Sequence, residues 1–133
     1  MTDLVFFYGT LMSGFKRAGR SDVDGKLTAV GRGSIGAALF DLGIYPAAIP
    51  SAESRVSGEV YRIADVEAVL AVLDELEGVH PSDPDSSLYT RVETPVTLED
   101  GSVAPAWAYF YNAPLGRARR IESGDYLEHL KVK

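Results

Sequence analysis

The sequence predicts an α+β fold, and three stretches carry that expectation. Leu4-Val5-Phe6-Phe7-Tyr8 is an unbroken run of strand-favouring residues that stops at Gly9. Val66, Val69, Leu70, Leu73 and Leu76 recur at spacings of three and four, the period of an amphipathic helix. Tyr89 to Leu98 and Val103 to Tyr111 read as strands joined by Glu99-Asp100-Gly101-Ser102, a hairpin signal. Strands on both sides of one helix make the class.

A length of 133 residues fits one domain, 1–133, with room for a real core. The hydrophobic share of 46% and charged share of 24% are those of an average globular domain. No apolar run reaches the roughly 18 residues of a membrane span, and the first residues lack the features of a signal peptide, so a cytoplasmic location is expected. The net charge of −6 argues against nucleic acid as a partner. Cysteine is absent, which removes disulfides, thiolate nucleophiles and zinc-thiolate sites together. His80 and His129 are too isolated for a Ser-His-Asp triad or a histidine metal cluster, so no metal or cofactor is expected. Chemistry, if present, runs on carboxylates, hydroxyls and backbone.

In chain order, the first strand runs into Gly9-Thr10-Leu11, where successive backbone N–H groups of a turn can point into one concavity. Most strands that run into a Gly-Thr turn are only strands and turns. Lys16, Arg17 and Arg20 read as a solvated loop face. Leu27 to Val30 and Ala37 to Phe40 read as short strands, with glycines between 25 and 43 marking sharp turns or a strand bent around a barrel corner. Tyr45 to Pro50 reads as irregular, because two prolines there cannot donate to a ladder. Val56 to Ile63 alternates as a strand, with Val56, Gly58, Val60 and Arg62 on one parity and Glu59, Tyr61 and Ile63 on the other. Asp65 is placed as helix N-cap and Gly78 as its C′ residue. Val79 to Leu88 is a long polar connection, and Arg117 to Lys133 a turn with a short closing helix.

A helical wheel separates the acids. With Val66 at zero, the apolar residues span an arc from about 280° to about 40°. Glu75 lies opposite, and Glu67 and Asp74 lie at or beyond the edge. Glu77 falls at about 20°, inside the arc. A carboxylate there is costly unless paired, hydrogen-bonded or protonated, and the helix C-terminus disfavours it further. Both effects raise its pKa toward the range of a useful general base. Fraying of the last turn or pairing with an arginine would remove that consequence, and Arg91 on its strand either neutralises Glu77 or faces water.

Phe7-Tyr8-Gly9-Thr10-Leu11, Gly58-Glu59-Val60-Tyr61, Leu73-Asp74-Glu75-Leu76-Glu77-Gly78 and Tyr89-Thr90-Arg91 resemble the gamma-glutamylcyclotransferase-like family. Leu42-Gly43-Ile44-Tyr45-Pro46-Ala47, Ala106-Trp107-Ala108-Tyr109 and Glu122-Ser123-Gly124-Asp125-Tyr126 are similar to its small bacterial branch. The resemblance covers nearly the whole chain in order. It implies a small mixed β-barrel with one main helix packed on it. It also implies that Tyr8, Gly9, Thr10 and Leu11 cradle the gamma-glutamyl part of a small-molecule substrate, that Glu77 is the acid/base, and that Tyr109 lines the same pocket with Tyr111 beside it. One departure is the segment from Glu77 to Tyr89, which is longer than in relatives and leaves the substrate open.

The implied reaction is cyclisation of a gamma-glutamyl amide by its own α-amine, giving 5-oxoproline and a released amine, the work of an acyl transferase or lyase. An intramolecular nucleophile removes the need for a catalytic Ser or Cys. The alternative is a non-catalytic module holding a small ligand or a partner's segment in the same pocket. Glu77 discriminates between them, because a binder of carboxylate ligands gains nothing from an unpaired buried anion. The oligomeric state has no signal in the sequence.

Overall fold

The computed structural model describes residues 2–8, 26–42, 46–76, 89–126 and 128–129. Its elements in order are β1 (Leu4–Phe7), β2 (Leu27–Asp41), β3 (Pro46–Ile63), α1 (Val66–Leu76), β4 (Tyr89–Leu98), β5 (Val103–Tyr111) and β6 (Arg119–Arg120). The strands join in the order β3-β1-β5-β4-β2, and β2 returns to β3, so the sheet closes into a five-stranded barrel with β6 added along β2. The β1–β5 pair is parallel at Val5 and Trp107, and the other pairings are antiparallel. The family's expected architecture, a small mixed β-barrel with a helix on it, is therefore the one observed.

Closure is accomplished by two long strands of 15 and 18 residues, β2 and β3. The two short strands expected at Leu27–Val30 and Ala37–Phe40 are parts of one bent strand, and the glycines between them are bends rather than turns. Its register against β3 slips between Ala29 and Gly31 and again between Gly36 and Ala37. Such bulges increase local twist and let a long strand round a barrel. The second expectation that fails is the irregular stretch ending at Pro50. Residues 46–50 pair with Ala37 to Asp41 as regular strand, and the two prolines stand at the ends of that pairing, opposite Asp41 and Ala37. There a missing N–H interrupts no interior ladder bond.

Inside the barrel the strands approach closely. A Cβ built on Gly58 would lie 2.2 Å from the Phe7 carbonyl oxygen, so only glycine lets β1 lie this close along its antiparallel neighbour β3. Val56, Val60, Val96, Ala106 and Ala108 are wholly buried, while Tyr61 and Ile63, of the opposite parity on β3, are also covered. Both faces of the sheet are needed because one lines the barrel and the other receives α1 or flanking chain. Phe7 meets Tyr61 on one parity, ring centroids 5.6 Å apart, and Phe6 meets Tyr8 on the other, 6.3 Å apart.

The β4–β5 hairpin has the predicted limits. Leu98 N–H donates to Ser102 O and Gly101 N–H to Leu98 O, with Gly101 at φ 87°. Asp100 accepts from both the hydroxyl and the amide of Ser102, which hold its carboxyl below the ordinary aspartate value. Pro105, the third residue of β5, stands opposite Pro95. Beyond β6 the chain lies along the barrel, with Ile121 N–H on Leu39 O and Ser57 N–H on Gly124 O. His129 there meets Asp41 at 2.8 Å. No helix among the described residues is long and apolar enough to cross a membrane.

Candidate functional site

Tyr109 is the meeting point of the elements that flank the expected site. It lies on β5 and is 2% exposed. Its main-chain carbonyl accepts the hydroxyl of Tyr8, the residue directly after β1, at 2.5 Å. Its own hydroxyl donates to Asp74 Oδ1 on α1 at 2.7 Å. Two hydrogen bonds thus connect the end of the first strand with the helix. A buried tyrosine needs a partner for its hydroxyl, and each of these two finds one on a different element.

Asp74 is also gripped by Arg91. Arg91 Nε donates to Oδ1 at 2.8 Å and a terminal nitrogen of the guanidinium to Oδ2 at 3.2 Å. The guanidinium lies 4.7 Å from the Trp107 ring centre, and the Trp107 indole N–H donates to Thr2 O at 3.0 Å. Arg91 and Tyr109 are cross-strand partners on β4 and β5, so both point from the same face of the hairpin toward α1. Beside them on that face Tyr89 meets Tyr111 edge to face at 5.4 Å, and the Tyr89 hydroxyl donates to Pro46 O.

The helix begins after Asp65, whose carbonyl accepts from Val69 N–H and whose carboxylate pairs with Lys26 at 3.2 Å. Val69, Leu70 and Leu73 are buried as the wheel requires, and Glu67 and Glu75 are exposed. Asp74 departs from the expectation. The wheel sets it at the margin of the apolar arc, at about 80°, and it is buried, at 8% exposure. The reason is tertiary: β4 and β5 present a cation and a hydroxyl that compensate the carboxylate, so the covered face widens past Leu70. Arg91, expected either to neutralise Glu77 or to face water, holds Asp74. The signal available in the sequence is an acid next to the apolar stripe and a lone arginine on a strand, which names no partner by itself.

Of the residues expected to form the site, Tyr8 and Tyr109 are described and are joined directly. Gly9, Thr10, Leu11 and Glu77 lie outside the described residues, as do Gly78, the connection from Val79 to Leu88 and the basic cluster at Lys16, Arg17 and Arg20.

Comparison with known proteins bears on this arrangement. The family model described as gamma-glutamyl cyclotransferase, AIG2-like, matches residues 5–128. The chain belongs to this family. The AIG2-like chain is 40% identical over 95 residues to the gamma-glutamylcyclotransferase family protein YtfP of Escherichia coli K12, covering 70% of each. It is 35% identical over 127 residues to the family protein ytfP of Citrobacter rodentium, covering 93% of this chain and 95% of that one. Among solved structures it resembles the solution structure of ytfP from Escherichia coli, with a TM-score of 0.68 and 35% identity over 95% of this chain and 97% of that one. A family barrel in this AIG2-like chain therefore has a residue-level match in relatives as well as a shared topology.

Proposed function

We propose that the protein cyclises a gamma-glutamyl amide or amine conjugate to 5-oxoproline and releases the amine. The observation that carries this reading is the hydrogen-bonded path Tyr8–Tyr109–Asp74. It ties the strand that leads into Gly9-Thr10-Leu11 to the helix that leads into Glu77, the two segments on which the reaction depends.

In this reaction the substrate's α-amine attacks its own γ-carbonyl carbon. A C–N bond forms to close the five-membered ring, and the C–N bond to the leaving amine breaks. Glu77 takes one proton from the α-ammonium to free the attacking amine and a second as the lactam N–H forms, and passes both in turn to the departing nitrogen, which leaves as an ammonium, so no proton is gained or lost overall. Backbone N–H groups of residues 9–11 bind the oxyanion or the substrate carboxylate. Holding the chain folded over itself supplies much of the barrier reduction, since effective molarities for such closures reach about 10⁵ M or more. Tyr109 lines the pocket as a positioned wall, fixed at its carbonyl and at its hydroxyl. The reaction needs no cofactor or metal, and a cytoplasmic pool of small gamma-glutamyl compounds would supply it.

The test is direct. The protein is incubated with gamma-glutamyl dipeptides, gamma-glutamyl amines and glutathione, and 5-oxoproline is assayed. Release from at least one of them by the wild type and its loss in Glu77→Gln support the reading. Release that persists in Glu77→Gln removes Glu77 from its role, and no release from any compound favours a binding module.

A further inference from the structure

We infer that Asp74 is a positioning residue for the proposed cyclisation, an assignment that rests on that reading. Among the described residues it is the only charged side chain that is buried. Stability is a weak reason for it. Replacing a buried ion pair with apolar residues of similar size is often neutral or stabilising, so a helix that needed only to stick to the barrel would do so through Val69, Leu70 and Leu73.

What the pair supplies is direction. Apolar contacts are non-directional and tolerate small rotations of a helix about its axis. The Asp74 carboxylate, in contrast, is fixed by three hydrogen bonds. Oδ1 accepts from Arg91 Nε at 2.8 Å and from the Tyr109 hydroxyl at 2.7 Å, and Oδ2 accepts from the second Arg91 nitrogen at 3.2 Å. These donors come from two adjacent strands, and Arg91 is itself laid over Trp107. The forked geometry belongs to arginine and is not reproduced by lysine. In sequence Glu77 comes three residues after Asp74, so the helix that these bonds hold is the element that leads the chain into Glu77. Asp74 touches no substrate in this reaction; it sets the angle at which α1 leads into Glu77.

The experiment compares the wild type, Arg91→Lys and the double variant Asp74→Leu with Arg91→Met. Two readouts are taken: kcat and KM on whichever gamma-glutamyl compound the wild type turns over, and the titration of the Glu77 carboxyl by ¹³C NMR. Arg91→Lys keeps the net charge while losing the forked grip on Asp74, so a movement of the Glu77 titration reports a displaced arrangement rather than a deleted charge. The expected result is a fall in kcat of about tenfold to a hundredfold in Arg91→Lys with KM nearly unchanged, and a displaced Glu77 midpoint. The apolar double variant keeps a thermal midpoint at or above that of Arg91→Lys and does not recover kcat. Recovery of wild-type kcat by the double variant, or wild-type kcat with an unmoved Glu77 midpoint in Arg91→Lys, overturns the assignment. If the double variant does not fold, Arg91→Lys decides alone. If the wild type releases no 5-oxoproline, the proposed function falls, and the Glu77 midpoint in Arg91→Lys decides the positioning role: displaced supports it, unmoved overturns it.

Discussion

The hydroxyl of Tyr8 is donated to the main-chain carbonyl of Tyr109, a contact between residues 101 positions apart in the chain. It locks the exit of β1 onto β5 at the point where the first strand gives way to Gly9. In Tyr8→Phe that carbonyl loses its side-chain donor while the ring remains packed near Phe6. A loss of about 1–2 kcal/mol in urea unfolding is expected, with the circular dichroism of the folded state unchanged. A variant as stable as the wild type would show that the bond does not hold the strand.

Glu77→Gln is expected to lower kcat for 5-oxoproline release by about 10²–10⁴ while leaving the thermal midpoint close to that of the wild type. Glu75→Gln, on the exposed side of α1, serves as the control and should keep wild-type turnover. Equal effects of the two substitutions on turnover would rule out a special role for Glu77.

Gly58→Ala tests the barrel itself. Its Cβ would meet the Phe7 carbonyl oxygen at 2.2 Å and the Phe6 ring at 2.7 Å, both inside the closed wall. Destabilisation of about 3 kcal/mol or more is expected, since main chain cannot move aside as a flexible side chain can. Little change in the denaturation midpoint would contradict the close approach of β1 to β3 at Gly58.

Asp100 provides a pH signature in the hairpin turn. The Ser102 hydroxyl, then the Ser102 amide, hold its carboxyl below the ordinary aspartate value. A group depressed on folding favours the folded hairpin above its ordinary pKa, and that contribution is lost as pH falls through the folded value. In Ser102→Ala the larger of the two causes is gone, so the Asp100 midpoint observed by carboxyl ¹³C NMR should rise toward the ordinary value. An unchanged midpoint would show that the amide alone sets it.

Much of the fold is legible from residues. The limits of β4 and β5 come from alternation and a four-residue turn, and the buried face of α1 comes from its period, because both depend on local pattern. The length of β2 and the strand character of residues 46–50 do not, since glycine and proline report where a chain is able to bend and not what lies across from it. Asp74 shows the same limit at the site. Its burial is decided by Arg91 and Tyr109, which come 17 and 35 positions later, and no reading of one helix contains them. Tyr109 stands out in the sequence only through the family resemblance, and the structure adds that both ends of that residue are engaged.

The parallel contact between β1 and β5 has a consequence for how the chain is made. β1 has its antiparallel neighbour in β3, but its second edge stays open until β5 has left the ribosome. Until then the apolar segment Leu4–Phe7 keeps one unpaired edge, of the kind that chaperones cover and that neighbouring nascent chains can capture. Closure must then join Val5 to Trp107, a non-local pairing whose loop-closure entropy is met before its contacts form.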